Sequence, residues 1–66
     1  MIQDLGSYRL LSGRTIVKGS KVTLIKELTE GTVDRIVRDG YKIHIFVKTQ
    51  STFGTRIVQS ELNNIE

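Results

Sequence analysis

Cysteine is absent from the 66 residues, which removes disulfide staples, zinc–thiolate sites and nucleophilic thiols at once. Nothing marks an oxidising compartment, and a cytoplasmic setting is the expectation. Tryptophan is absent too, and Tyr8, Tyr41, Phe46 and Phe53 are the only aromatics. The longest uninterrupted apolar run is Ile45-Phe46-Val47, far short of the roughly 18 residues that cross a bilayer. The N-terminus lacks the basic-then-apolar order of a secretion signal, so no membrane partner is expected. His44 is the only histidine, and the carboxylates of Asp4, Glu27, Glu30, Asp34, Asp39, Glu61 and Glu66 are scattered, so no transition-metal ligand set is read. Gly13, Gly19 and Gly40 match no phosphate-cradling spacing and read as turn glycines. Glu30 and Asp34 can approach across a bent strand, but an acid–base pair needs a pocket to tune it, and a β domain this small is filled by its own side chains. No catalytic, cofactor-binding or metal-binding residue is assigned, and the chain is expected not to be an enzyme.

What the chain does carry is a modest positive excess and a run of strand patterns. A chain this short buries only about 60% of the surface it exposes when unfolded, and burial then barely offsets the cost of ordering. Weak self-association is a natural remedy. The net charge of +3 is concentrated in the middle, where Arg35, Arg38, Lys42, Lys48 and Arg56 meet only Asp39. Such a balance permits attraction to nucleic acid or to an anionic protein without demanding either.

Residues 41 to 48 give the clearest signal. Tyr41, Ile43, Ile45 and Val47 alternate with Lys42, His44, Phe46 and Lys48, the period of a half-buried strand. The Asp39-Gly40 pair before it favours a tight turn, so residues 31 to 37 and 41 to 48 are expected to form a hairpin. Alternation fails near Arg35, between Val33 and the Ile36-Val37 pair, as a bulge makes it. Upstream, Gly19-Ser20 is read as the two-residue turn of a second hairpin, joining Thr15–Val17 to Lys21–Ile25. Tyr8 to Leu11 is a further strand or part of a loose arm. Ile25 to Glu30 is a loop, Thr55 to Gln59 a compact strand, and residues 60 to 63 a single helical turn. The whole is read as one domain over residues 1–66, with 1–13 either an arm or an extra hairpin.

The order of Gly19 leading into Val22 and Leu24, a loop, Glu30-Gly31-Thr32-Val33, a turn at Asp39-Gly40, a long strand, a shorter one and a Glu61-Leu62 turn resembles the small SH3-like barrels. Lys18 to Ile36 in particular looks like a KOW-type stretch. The resemblance implies an all-β, five-stranded SH3-like barrel and covers about two-thirds of the chain. Gly-x-Val there serves close approach of backbones. The loop Lys26 to Thr29 lacks the glycine and lysine richness common in nucleic-acid-binding KOW segments. Peptide-binding SH3 domains use a tryptophan-containing groove, so recognition of polyproline segments is not expected.

If Ile43, Ile45 and Val47 face the core, then Lys42, His44, Phe46 and Lys48 share the opposite face. Arg35 across the hairpin extends that stripe. One use of it is to follow a phosphate backbone while Phe46 stacks on an unpaired base, a contact worth roughly 1–3 kcal/mol. Lys18, Lys21 and Lys26 offer further phosphate contacts or a solvated strand face. The plainer alternative is that Phe46 covers a second small cluster with Leu5, Tyr8 and Leu10. Phe53, in the Gln50–Arg56 loop, either anchors a partner or closes one end of the barrel. The expected function is a non-catalytic binding module docking on a larger protein through Phe46, Phe53 or a strand edge. The alternative is RNA or single-stranded DNA binding through Arg35, Lys42, His44, Phe46 and Lys48.

Overall fold

The computed structural model describes residues 2–66; Met1, the first residue of the expected arm, lies outside them. The chain is nearly all β. Its strands are β1 (Ile2–Leu5), β2 (Ser7–Arg9), β3 (Thr15–Val17), β4 (Lys21–Leu24), β5 (Thr29–Asp39), β6 (Lys42–Ser51) and β7 (Gly54–Glu61), followed by one 3-10 turn, Leu62–Asn64. The turn begins two residues later and ends one residue later than the sequence suggested.

β5 organises the molecule. Its first four residues pair antiparallel with β4, its last four with β1, and most of its length on the other side with β6. The register steps from Val33↔Val47 directly to Arg35↔Phe46, so Asp34 is the extra residue of a bulge. The bend expected near Arg35 is therefore present, and it lets one strand serve two neighbours along the same edge. At the far end Gly40, with φ of +64°, takes the first central position of a two-residue turn, the place that a type II′ hairpin reserves for glycine. Tyr41 occupies the second and is 94% exposed, so it belongs to the turn and not to the alternation of β6.

The second expected hairpin does not form: the chain reverses through a turn at Lys18-Gly19, one residue before the expected Gly19-Ser20 pair, and no ladder follows it. Ser20 N–H donates to Val17 O at 3.0 Å, and Gly19 adopts φ of +95°. Beyond that point the strands part: β3 pairs with β2 in a separate two-stranded sheet, and β4 pairs with β5. Gly19 N–H donates to Val33 O at 2.8 Å and Val33 N–H to Ser20 O at 2.9 Å. Those bonds commit the chain leaving the turn to β5.

The small sheet covers the inner face of the large one. Leu10, Ile16, Val22, Leu24, Val33, Ile36, Ile45, Val47 and Ile65 form the core, with Leu5, Tyr8, Ile43, Val58 and Leu62 at its margin. Gly31 lies where β5 crosses close to β6. A Cβ there would stand 2.4 Å from Val47 Cγ1 and 2.9 Å from Lys48 O, so glycine is required for the approach. After the 3-10 turn the chain comes back to β4. Leu24 bridges Ile65, Thr23 N–H donates to Glu66 O at 2.8 Å, and Glu66 N–H to Thr23 O at 3.0 Å. Among the described residues no ladder joins β7 to β4, and the hydrogen-bonded path of the large sheet stays open.

Candidate functional site

Cross-strand partners in an antiparallel sheet point to the same side, so the registers lay out the outer face row by row. Lys21, Thr32, Lys48 and Ile57 form one row. Arg35, Phe46 and Gln59 form the next. Asp4, Val37, His44 and Glu61 follow, and Ile2, Asp39 and Lys42 close the face. Four of the expected site residues of β6 and Arg35 therefore do share one surface. Phe53 is not among them, because it sits on the β6–β7 turn.

The charge on this face is divided. Lys21, Arg35 and Lys48 gather at the β4 end with Glu30 beside them, while Asp4, Asp39 and Glu61 gather at the β1 end. Lys42 stands among those carboxylates, opposite Asp39. It is six residues from Lys48 along β6, which is about 20 Å at the rise of an extended strand. A continuous basic stripe over Lys42, His44 and Lys48 is thus not formed. The carboxylates could not be placed from sequence because their positions depend on the registers of β1 and β7; Asp39, bordering the turn, was the one readable in advance.

The two phenylalanines take opposite roles. Phe46 is half-buried on the outer face, and the Arg35 guanidinium carbon lies 5.2 Å from its ring centroid, a cation–π geometry. One face of the ring is spent on that contact. Leu5, Tyr8 and Leu10, expected as its cover, pack into the main core instead. Beside it, the Gln59 side-chain amide nitrogen is 3.0 Å from His44 Nδ1, so this histidine is held by a neighbouring strand. Phe53, by contrast, is 99% exposed. It closes no end of the molecule. Ser51 Oγ accepts from Phe53 N–H at 3.3 Å and donates to Gly54 O at 3.2 Å, and this bracing of the turn presents the ring to solvent.

A second exposed apolar residue escaped the sequence reading. Leu28, in the β4–β5 loop, is 86% exposed and holds φ of +53°, a left-handed conformation that a leucine adopts at a cost. Hydrogen bonds fix its loop. Lys26 N–H donates to Asn64 Oδ1 at 2.9 Å, Asn64 Nδ2 donates to Glu27 Oε2 at 3.0 Å, and Thr29 Oγ1 donates to Glu27 O at 3.0 Å. The Asn64 amide that holds Glu27 also donates to Ser60 Oγ at 3.4 Å, so the loop bearing Leu28 lies beside the C-terminal half of β7, whereas the turn bearing Phe53 is at the far end of the β6–β7 hairpin. At the opposite end, an open groove of about 380 Å³ runs between Leu11, Lys42, His44 and Leu62.

No protein family, curated protein or solved structure matches this chain. Among the described residues no group of three or more histidine, cysteine or carboxylate side chains is placed to hold a metal ion. Among the described residues no helix is long and apolar enough to cross a membrane.

Proposed function

We propose that this chain is a non-catalytic binding module built as a small SH3-like barrel, and that it docks on a protein partner through the end of the sheet that carries Phe53. Support for the barrel comes from the order of strand, hairpin, hairpin and 3-10 turn, with residues 64–66 returning to β4. The observation that carries the docking site is the pairing of full exposure at Phe53 with a braced turn. A rigid aromatic held out of the core loses little conformational freedom on binding and is the residue type that dominates interface energetics.

Nucleic-acid binding has one observation in its favour, the Lys21, Arg35 and Lys48 group. It has less than the sequence promised, because one face of the Phe46 ring is taken by Arg35 and four carboxylates, Asp4, Glu30, Asp39 and Glu61, share the surface. The two readings separate by experiment. With the partner captured from cell extract, Phe53→Ala is expected to weaken binding about 30-fold, in line with loss of a roughly 2 kcal/mol anchor, with little dependence on salt. Titration with a single-stranded oligonucleotide gives the opposite pattern if the alternative holds: strong salt dependence, reduced slope in Lys48→Ala, and no effect of Phe53→Ala.

A further inference from the structure

The edges of the large sheet are not treated alike. On β4 the free side is occupied by the returning C-terminal residues, through Thr23, Ile25, Asn64 and Glu66. β1 is four residues long and carries Asp4. β7 is the less protected edge: it carries Arg56 and Glu61, and an open groove separates its C-terminal half from the β4–β5 loop and Asn64. It is eight residues long, it ends the strand order, and it keeps register with β6 without a bulge. Among the described residues, its backbone makes no ladder on the side away from β6. It contains no lysine, and Ile57 near its middle is 52% exposed. Short strands, charge, bulges and covering segments are the means by which sheets prevent edge-to-edge pairing, and β7 is neither short nor bulged, nor is its backbone paired by a covering strand.

We propose that β7 is a self-association edge, pairing antiparallel with β7 of a second copy across a two-fold axis. An open strand edge selects its occupant by chemistry, because only another extended backbone answers its alternating donors and acceptors. A two-fold normal to the sheet keeps each face continuous, so residues of the same face must meet. That leaves few registers. Centring on Arg56 sets two guanidinium groups against each other, and centring on Val58 sets Ile57 against Gln59. Centring on Ile57 sets the two isoleucines together, with Thr55 opposite Gln59, Arg56 opposite Val58 and Gly54 opposite Ser60. No like charges then face each other, and the most exposed apolar side chain of the strand is buried by its own copy. The ladder ends before Phe53, so this pairing does not rest on the docking role given to that residue.

Sedimentation of the whole chain over a concentration series from micromolar to millimolar, with two-dimensional amide spectra at each point, tests the inference. The expected result is a reversible dimer whose concentration-dependent shifts fall on Gly54 to Ser60. Ile57→Lys, which places two ammonium groups opposite each other, is expected to weaken it at least about tenfold. A monomer at every concentration overturns the inference, and so does a dimer whose shifts map elsewhere. A folded Ile57→Lys variant that dimerises like the parent overturns it as well. Should that variant fail to fold, the shift map of the parent chain decides the matter alone.

Discussion

Two single residues show how this chain accommodates its own geometry. At Gly31 the constraint is space: any side chain meets Val47 and the Lys48 carbonyl well inside contact distance. Gly31→Ala is expected to destabilise by about 2 kcal/mol, the usual scale for forcing extra volume into packed structure, read as a shift in the urea midpoint. At Leu28 the constraint is backbone conformation, since φ of +53° suits glycine and costs leucine about 1 kcal/mol. Nothing buried compensates, because the side chain is in solvent. Leu28→Gly is therefore expected to raise stability by roughly 1 kcal/mol, read as a rise in the same urea midpoint. A Leu28→Gly variant no more stable than the parent overturns this account of the strain.

Among the elements, those whose signal is local were legible in the sequence and those set by a distant neighbour were not. The β5–β6 hairpin could be read because alternation, the Asp39-Gly40 pair and the lapse in period near Arg35 all lie within twenty residues. The same alternation placed Arg35, Lys42, His44, Phe46 and Lys48 together correctly. β1 could not be read, because Ile2-Gln3-Asp4-Leu5 has little pattern of its own and becomes a strand only by lying on the edge of β5. The turn at Lys18-Gly19, expected one residue later, shows the limit differently. Its chemistry specifies a reversal, but not which strand takes up the edge that follows, and Val33 takes it. Strand ends were also underestimated. Thr49, Gln50 and Ser51 are polar and give no apolar cue, yet pairing with Arg56, Thr55 and Gly54 carries the ladder through them to the turn. The site suffered likewise, since the exposure of Phe53 depends on how far that ladder runs.

In the whole molecule, two sheets share one core: Ile16 of the small sheet is fully buried against the apolar face of the large one. The two tyrosines fall on either side of that division. Tyr8 belongs to the small sheet and is packed at the margin of the core, whereas Tyr41 is out in solvent in the β5–β6 turn. With no tryptophan to mask them, the change in intrinsic emission on heating is supplied almost wholly by Tyr8. Far-ultraviolet circular dichroism, by contrast, is dominated by the large sheet. The two optical signals thus report on different layers of the same protein. Because Ile16 and Leu10 are integral to the shared core, the two melting curves are expected to coincide, as in an all-or-none transition. Earlier loss of the tyrosine signal would mean that the small layer opens by itself while the large one persists.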